Sequence, residues 1–244
     1  MRGVKFFVGL HQPSDAKHLD HVFISVNRLA ERRRDRKTLK RRTKPLGVRS
    51  WIMDSGAFTE LSTHGRYRNS VEDYAAEINR WADDPTLVAA VAQDYMCEPF
   101  IVAKTGLSVE RHQELTIERY DALVPLTPVY VMPVLQGYAA CDYVRHLEMY
   151  GDRLGSGAYV GVGSVCKRNT DVEQVETILS AIAQLRPDLR LHGFGLKATA
   201  LASARVRELL TSADSMAWSF AARYEGRNRN SWREAKAFAA SVMR

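Results

Sequence analysis

The stretch Ser50-Trp51-Ile52-Met53-Asp54-Ser55-Gly56-Ala57-Phe58 decides the fold, because an apolar run ends there in a carboxylate and a glycine turn. Three later runs, at 88–94, 129–137 and 159–163, repeat this plan, and each ends in a polar residue or a glycine. Short apolar runs bounded by turn residues, with helical patterns between them, are typical of buried parallel strands. If such strands close into a barrel, their C-terminal ends surround one mouth, where the active site lies.

Strand and helix patterns alternate along the chain, which predicts a parallel α/β fold. Eight strands favour a (β/α)8 TIM-like barrel over an open sheet. The predicted strands are Lys5–Leu10, Val22–Asn27, Ser50–Asp54, Leu87–Asp94, Val129–Gln136, Tyr159–Gly163, Arg190–Gly195 and Ala213–Ser219. Apolar spacing and capping residues predict helices over Val71–Ala82, Ser108–Leu123, Cys141–Tyr150 and Ser231–Val242, and one that begins with Thr170 and Glu173.

One domain over residues 1–244 is the expected organisation, with a basic insertion at about 28–49. The length of 244 residues matches one barrel, and 45% hydrophobic with 26% charged residues is ordinary for a soluble globular protein. Neither a membrane-spanning stretch nor a signal-peptide pattern is present in the sequence, which predicts a cytoplasmic location. The thiols of Cys97, Cys141 and Cys166 are far apart, which predicts isolated buried or half-buried cysteines.

Positive charge is concentrated between Arg28 and Arg49, and the whole chain carries a net charge of +7. Such a segment attracts polyanions, although a solvated loop is the competing interpretation. A second basic cluster follows Asp214 and could hold phosphates or coat a solvated surface. The residues predicted to contact a nucleic-acid backbone are Arg32, Arg33, Arg34, Arg36, Lys37, Lys40, Arg41, Arg42, Arg223, Arg227 and Arg229.

Polar residues at the predicted strand ends could carry chemistry. Asp94 and Gln136 offer the donors and acceptors that suit the edge of a purine-like base, and the turn at 161–164 is expected to expose backbone groups to the same space. Asp54 and Asp214 suit double displacement at an anomeric carbon, in which one carboxylate attacks and the other moves a proton. Each aspartate could instead be a turn or structural residue.

The histidines and cysteines do not predict a metal site. His11 follows the first strand and His192 lies within the seventh, where each is expected to be a hydrogen-bonded structural or binding residue. The sequence contains no His-x-x-x-His pattern and no carboxylate cluster at ligand spacing. No catalytic metal or other cofactor is therefore predicted.

Several segments resemble tRNA-guanine transglycosylases, which are (β/α) barrels that exchange guanine for a 7-deazaguanine through a covalent ribosyl-aspartate. Residues 54–58 resemble their Asp-Ser-Gly-Gly-Phe motif, Gln136-Gly137 is similar to their Val-Gln-Gly segment, and Gly161-Val162-Gly163 to their glycine-rich turn. The chain is more similar still to the short DpdA-type DNA-deazaguanine transglycosylases of phages and bacterial islands. Residues 6–11, 54–56 and 212–218 carry that likeness.

The resemblance implies that Asp54 handles a proton and that Asp214 is the nucleophile. It also implies a base site and further candidate pocket residues, which are Ser55, Phe58, Asp94, Gln136, Gly137, Gly161 and Gly163 for the base, and His11, Asn27, Gly195, Lys197 and Trp218 for the pocket. The tRNA enzymes carry Gly-Val-Asp-x-Phe-Asp and attack with the second Asp, whose place Ala217 occupies here. Either Asp214 has become the nucleophile or the chain is catalytically altered.

The implied function is exchange of guanine in DNA for a 7-deazaguanine such as the 7-cyano form, a pentosyltransferase reaction on a flipped base. No cysteine follows Cys166, so the zinc subdomain of the tRNA enzymes is not expected. The implied partners are DNA, the free 7-deazaguanine base and proteins of a modification system, in a bacterial host or phage-infected cell. The alternatives are a tRNA-guanine transglycosylase, a glycosylase that only removes the base, and a nucleic-acid-binding protein on an altered barrel.

Overall fold

The computed structural model describes residues 3–32, 39–43, 46–166 and 171–242. Its strands are β1 (Lys5–Gly9), β2 (His21–Ser25), β3 (Ala30–Arg32), β4 (Leu39–Arg41), β5 (Ser50–Asp54), β6 (Leu87–Val91), β7 (Val131–Met132), β8 (Val134–Leu135), β9 (Tyr159–Val162), β10 (Arg190–Gly193) and β11 (Ser212–Ser215). Within the described residues, nine of these segments form one parallel sheet in the order β7-β6-β5-β2-β1-β11-β10-β9-β8.

This sheet closes on itself around Pro133. Because proline lacks an N–H group, it interrupts the predicted strand 129–136 and divides it into β7 and β8. β7 pairs with β6, β8 pairs with β9, and the carbonyl of Pro133 accepts the N–H of Gly161 at 2.9 Å. One interrupted strand thus bonds to both of its neighbours, which confirms the predicted TIM-like barrel.

Helices surround the barrel. They are α1 (Ala57–His64), α2 (Val71–Asn79), α3 (Pro99–Thr105), α4 (Val109–Leu123), α5 (Ala140–Tyr150), α6 (Val172–Leu185), α7 (Ala198–Leu201), α8 (Ala204–Leu209), α9 (Ala217–Tyr224) and α10 (Trp232–Val242). Ser70 and Asp73 form the expected capping box of α2. The cap of α6 is Asp171, whose side chain accepts the Gln174 N–H, whereas the predicted Thr170 lies outside the described residues.

Two segments differ from the prediction. The last strand ends at Ser215, because the chain turns there and Ser215 Oγ accepts the N–H of Ala217 at the start of α9. The basic insertion, which has only a vaguely helical pattern, contributes the antiparallel pair β3 and β4. The described chain after β11 consists of α9 and α10 and contains no zinc subdomain.

The barrel interior is filled by aromatic side chains. Phe23 on β2 stacks on His192 on β10 with ring centres 5.6 Å apart, although β1 and β11 lie between those strands in the sheet. The contact therefore crosses the interior of the barrel. Phe7 and Phe194 also pack against the His192 ring. This packed layer lies beneath the mouth and closes the lower end of the site.

The three cysteines are free and differ in exposure. Cys97 is buried and Cys166 is partly buried, as predicted, but Cys141, in the first turn of α5, is exposed. In the described parts of the chain, the helices are too short or too polar to traverse a bilayer.

Candidate active site

Asp54 ends β5 at the C-terminal rim of the barrel. The Ser25 hydroxyl on β2 and the backbone N–H groups of Ser55 and Gly56 lie near its carboxylate. Burial raises the pKa of Asp54 to about 6, and the negative charge of Asp214 adds to this rise, while these neighbouring donors oppose it. A carboxyl group with this pKa can give or take a proton near neutral pH.

The turn after Asp54 depends on glycine. Gly56 has φ of 79°, and a Cβ at this position would overlap the side-chain amide of Asn27. Asn27, a predicted pocket residue, therefore borders the Asp54 turn. Ser55 is buried beside it, whereas Phe58, predicted to contact the base, is 51% exposed on α1.

Asp94 lies in a buried loop rather than at a strand end, because β6 stops at Val91. Side chains of α4 bind the backbone of this loop: Thr116 Oγ1 accepts the Tyr95 N–H at 2.9 Å, and His112 Nδ1 lies 2.7 Å from the Met96 carbonyl oxygen. Since buried backbone groups need partners, these contacts allow the loop to leave the sheet and still remain ordered.

Asp94, Gln136 and Ser164 form a hydrogen-bonded network. Gln136 Nε2 donates to Asp94 Oδ2, and Ser164 Oγ lies 2.7 Å from Gln136 Oε1 and 2.9 Å from Glu98 Oε2. Burial raises the pKa of Asp94 to about 7, helped by the charges of Asp54 and Glu98 and opposed by the Gln136 hydrogen bond. Among the described residues, one N–H and one lone pair of the Gln136 amide take part in no hydrogen bond.

The backbone of Gln136 is held by two helices. Gln113 on α4 donates from Nε2 to the Gln136 carbonyl at 2.7 Å, and the Gln136 N–H donates to His146 Nδ1 on α5 at 2.8 Å. Burial lowers the pKa of His146 to about 3, so its ring is neutral and Nδ1 can accept this bond. These contacts hold the backbone of Gln136 in place, so its side-chain amide is positioned before a base binds.

The glycines around Gln136 have steric roles. A Cβ at Gly163 would overlap the Gln136 side chain, one at Gly137 would overlap Asp142 and Tyr143, and one at Gly161 would overlap the Phe194 ring. The expected free backbone groups are not found at two of these residues. Gly163 donates its N–H to Leu135 O and accepts the Tyr143 hydroxyl, and Gly161 donates to Pro133 O. Strand pairing in the closed barrel uses these groups.

Asp214 lies in β11 and is only 6% exposed. Its Oδ1 accepts the Gly195 N–H at 3.0 Å and lies 3.3 Å from His192 Nε2. In the described part of the chain, no hydrogen bond reaches the other oxygen, Oδ2. One oxygen is thus held by donors while the other remains available, as a carboxylate nucleophile requires.

The structure brings the predicted carboxylates together. β5 and β11 are separated in the sheet by β2 and β1, and yet the charge of Asp214 acts on the pKa of Asp54. The charge of Asp54 likewise acts on the pKa of Asp94. Ala217 lies beyond the strand, at the first position of α9. The predicted acidic groups at the mouth are therefore Asp54, Asp94 and Asp214, and position 217 contributes none.

Cationic residues border the Asp214 side of the mouth. His11 Nε2 lies 2.7 Å from Ser219 Oγ, and the pKa of His11 is lowered by burial and by the charges of Arg28 and Arg229. The buried Trp218 packs beneath His11 and donates to Gly9 O at 2.9 Å. Gly195 reaches Asp214 through its N–H, and Lys197 is exposed at the start of α7.

The predicted backbone-contacting residues are dispersed. Arg41 pairs with Glu77 at 2.8 Å, and the Arg42 carbonyl accepts from Arg80, so both lie beside the C-terminal end of α2, away from the mouth. Arg227 pairs with Glu225 and Glu234. Lys40, Arg223 and Arg229 are exposed. The remaining predictions, Arg33, Arg34, Arg36, Lys37 and the side chain of Arg32, lie outside the described residues.

Sequence reasoning assigned no side-chain role to Ser25, Glu98 or Ser164, and it placed Arg28 in the basic segment without naming it as a backbone contact. Ser25 follows the apolar run of β2, so the strand-end rule could have found it. Glu98 and Ser164 meet only because the loops after β6 and β9 converge. Ser164 also has φ of 54°, which sequence did not reveal. Among the described residues, no group of three or more His, Cys, Asp or Glu side chains could hold a metal ion.

Comparison with known proteins gives one family. No curated protein is significantly similar to the chain in sequence. The sequence matches the DpdA family, described as DeoxyPurine in DNA protein A, over residues 2–231. That range contains every strand of the barrel and all three carboxylates of the mouth. The chain therefore belongs to the DpdA family and is a DNA-modifying enzyme.

Proposed function

We propose that this protein is a DNA-guanine transglycosylase that replaces guanine in DNA with a 7-deazaguanine through a covalent Asp214–sugar intermediate. The observation that carries the proposal is the unequal environment of two carboxylates at one mouth. Asp54 has a pKa raised to about 6, whereas Asp214 has one oxygen held by donors and one available. Two carboxyl groups in different environments can divide the acid and nucleophile roles.

In the first half of the reaction, Asp214 Oδ2 attacks C1′ of a flipped 2′-deoxyguanosine. The C1′–O bond forms as the C1′–N9 bond breaks, and the electron pair of that bond passes to the guanine. Protonated Asp54 gives its proton to the departing base and becomes a carboxylate. Guanine leaves as the neutral base, and the deoxyribose remains bound to Asp214.

In the second half, N9 of the incoming 7-deazaguanine, such as the 7-cyano form, attacks C1′. The C1′–O bond breaks and its electron pair returns to the Asp214 carboxylate. Asp54 takes the N9 proton and is restored to its acid form, so the cycle balances without an external proton or electron. This dual use requires a pKa near the working pH, which agrees with the raised pKa of Asp54.

The Asp94 network supports recognition of guanine-like bases. A carboxylate at Asp94 can accept the paired N–H donors of such a base, and the Gln136 amide retains a free donor and acceptor for its carbonyl edge. Leaving and incoming bases share this edge, so one rigid pocket can serve both halves of the exchange.

The surface beside Asp214 supports binding of a DNA backbone. Arg28 and Arg229 lie close enough to His11 to lower its pKa, and both are exposed. The neighbouring α9 exposes Phe220 and Tyr224 next to Arg223. Arginine neutralises phosphates, and exposed aromatic rings can stack on unpaired bases. These groups suit DNA from which one nucleotide has been extruded.

The test is an exchange assay. Duplex DNA, tRNA and single-stranded DNA are each incubated with the protein and 7-cyano-7-deazaguanine, and nucleosides are then measured by mass spectrometry. We expect the deazaguanine nucleoside to appear in DNA with one guanine released for each base incorporated. Incorporation only into tRNA, or guanine release without incorporation, would contradict the proposal.

A further inference from the structure

His192 occupies a position that ordinary core packing does not explain. It is fully buried inside the barrel, enclosed by the rings of Phe7, Phe23 and Phe194. Both of its ring nitrogens nevertheless face polar groups: Nδ1 lies 2.8 Å from Ser212 Oγ and Nε2 lies 3.3 Å from Asp214 Oδ1. An imidazole in an apolar enclosure needs partners for both nitrogens, and here one partner is the reacting carboxylate.

The direction of these hydrogen bonds follows from their chemistry. An ionised Asp214 can only accept, so His192 Nε2 must carry a proton and donate it. In the neutral ring, Nδ1 then accepts from the Ser212 hydroxyl. Ser212 Oγ can in turn accept from the Tyr159 hydroxyl, which lies 2.5 Å away. The chain Tyr159–Ser212–His192–Asp214 thus has one consistent direction and selects the Nε2–H tautomer.

The contact determines which Asp214 oxygen is available. His192 and the Gly195 N–H both engage Oδ1, from β10 and from the turn after it. A carboxylate held through one oxygen by two donors cannot rotate freely about its bond to Cβ. Oδ2 is thereby kept in one orientation, as a nucleophile must be before it meets a sugar carbon.

We propose that His192 is a positioning residue, held by Ser212 and Tyr159, that donates to Asp214 Oδ1 and presents Oδ2 to the sugar carbon for attack. This inference rests on the proposed function. The supporting residues Tyr159, His192 and Ser212 lie on β9, β10 and β11, so buried residues of the barrel interior contribute to the covalent step.

The experiment measures single-turnover formation of the protein–DNA adduct, in parallel with the affinity for DNA. His192→Leu removes the hydrogen-bond donor and fills the same space with an apolar side chain of similar size. We expect adduct formation to slow on the order of 100-fold, with DNA affinity within about 2-fold of wild type. His192→Gln can place an amide N–H near the original Nε2 and should recover at least about 10-fold of the loss.

Two further variants separate positioning from folding. Tyr159→Phe removes the far end of the hydrogen-bond chain and should slow adduct formation about 3- to 10-fold without a change in DNA affinity. His21→Leu is the matched control, because His21 Nδ1 also pairs with a serine, Ser50, at 2.8 Å. His21 has no carboxylate partner at the mouth, so His21→Leu should form the adduct at the wild-type rate.

The outcomes distinguish this inference from the function on which it depends. If wild type forms no adduct and exchanges no base, the proposed function fails. If wild type exchanges bases and His192→Leu forms the adduct equally fast, only the positioning role fails. If His192→Leu does not fold, His192→Gln and Tyr159→Phe decide, and adduct rates equal to wild type in both would overturn the inference. Equal loss in Leu and Gln variants, with equally weakened DNA binding, would also overturn it.

Discussion

The two sides of the barrel mouth are built differently. On the side of β6, β8 and β9, Asp94, Gln136 and Ser164 are buried, and side chains of α4 and α5 bind the backbone around them. On the side of β1, β2 and β11, Arg28 and Arg229 are exposed at the rim. We call the first region the base side and the second the backbone side. Asp54 on β5 and Asp214 on β11 lie where the two regions meet.

The difference shows how one mouth can treat two parts of a nucleotide. A base is read by directional hydrogen bonds, which discriminate best when the protein groups are fixed and desolvated. A phosphate backbone is bound mainly by charge, which acts over longer distances and requires little order. Changes on the base side should therefore alter the choice of base, and changes on the backbone side should alter the affinity for DNA.

The largest effects are expected between the two sides, at the carboxylates themselves. Asp214→Asn removes the nucleophile and should reduce exchange on the order of 10⁴-fold or more, with DNA affinity nearly unchanged. Asp54→Asn should slow exchange on the order of 10²- to 10³-fold but still allow the sugar to be attacked. Exchange rates measured with labelled guanine test both. Wild-type turnover in Asp214→Asn would remove that residue from the reaction.

A large effect specific to the base side is expected at Gln136. Gln136→Ala removes a fixed donor and acceptor, which should raise KM for the incoming base about 10- to 100-fold while DNA affinity stays constant. Gln184→Ala on the exposed end of α6 is the matched control and should have no effect. Steady-state kinetics with varied base and varied DNA make the comparison. If Gln136→Ala lost DNA affinity instead, base recognition and DNA binding would not be separated between the two sides of the mouth.

Asp94 links base recognition to pH-dependent stability. Its pKa is about 7 in the folded protein against 3.8 normally, so the folded state binds this proton more tightly than the unfolded state. The free energy of unfolding should therefore fall as pH rises from about 4 to 7, and Asp94→Asn should remove this loss. We expect the variant to be more stable than wild type by on the order of 2 kcal/mol at pH 8, and little different at pH 4.

Urea unfolding of wild type and Asp94→Asn at several pH values measures this difference. Asp152→Asn at an exposed site is the control and should show no pH-dependent gain. The same Asp94→Asn protein should exchange bases poorly, because it lacks the carboxylate acceptor. If the stability difference between Asp94→Asn and wild type is no larger at pH 8 than at pH 4, burial does not raise the pKa of Asp94 as described.

The smallest effects are expected on the backbone side. Arg28→Ala and Arg229→Ala should each weaken DNA binding only a few-fold and reduce the dependence of log Kd on log salt concentration by about one. Neither should change the preference among incoming bases. Arg153→Ala is the control, since Arg153 pairs with Asp121 at 2.7 Å near the opposite end of the barrel. Unchanged salt dependence in both rim variants would exclude them from the DNA contact.

Sequence predicted the barrel well because its strands are short apolar runs with distinctive ends. β5 was predicted to the residue, and the expected grouping of Asp54 and Asp214 follows from the closed sheet. The interruption at Pro133 was not predicted, although the missing N–H of proline is visible in the sequence. The end of β11 was placed too late because the apolar residues of α9 continue its pattern.

The supporting residues of the site were harder to predict. Glu98 reaches Ser164 only through two loops whose paths depend on contacts from α4. His192 has no strand-end position, and its role depends on a carboxylate from a neighbouring strand. Charge density in the basic segment did not reveal that Arg41 pairs with Glu77 on α2. Strand-end rules find residues that face the mouth of the barrel. They do not find the buried residues that hydrogen-bond to them and fix their orientation.

The most direct test is intact-protein mass spectrometry after incubation with a guanine-containing DNA oligonucleotide and rapid acid denaturation. We expect the protein mass to increase by that of the DNA minus one guanine, with the attachment mapped to the peptide that contains Asp214. Addition of 7-cyano-7-deazaguanine before denaturation should discharge the adduct. Base exchange without any adduct, or attachment at Asp54 instead, would contradict the assignment of Asp214 as the nucleophile.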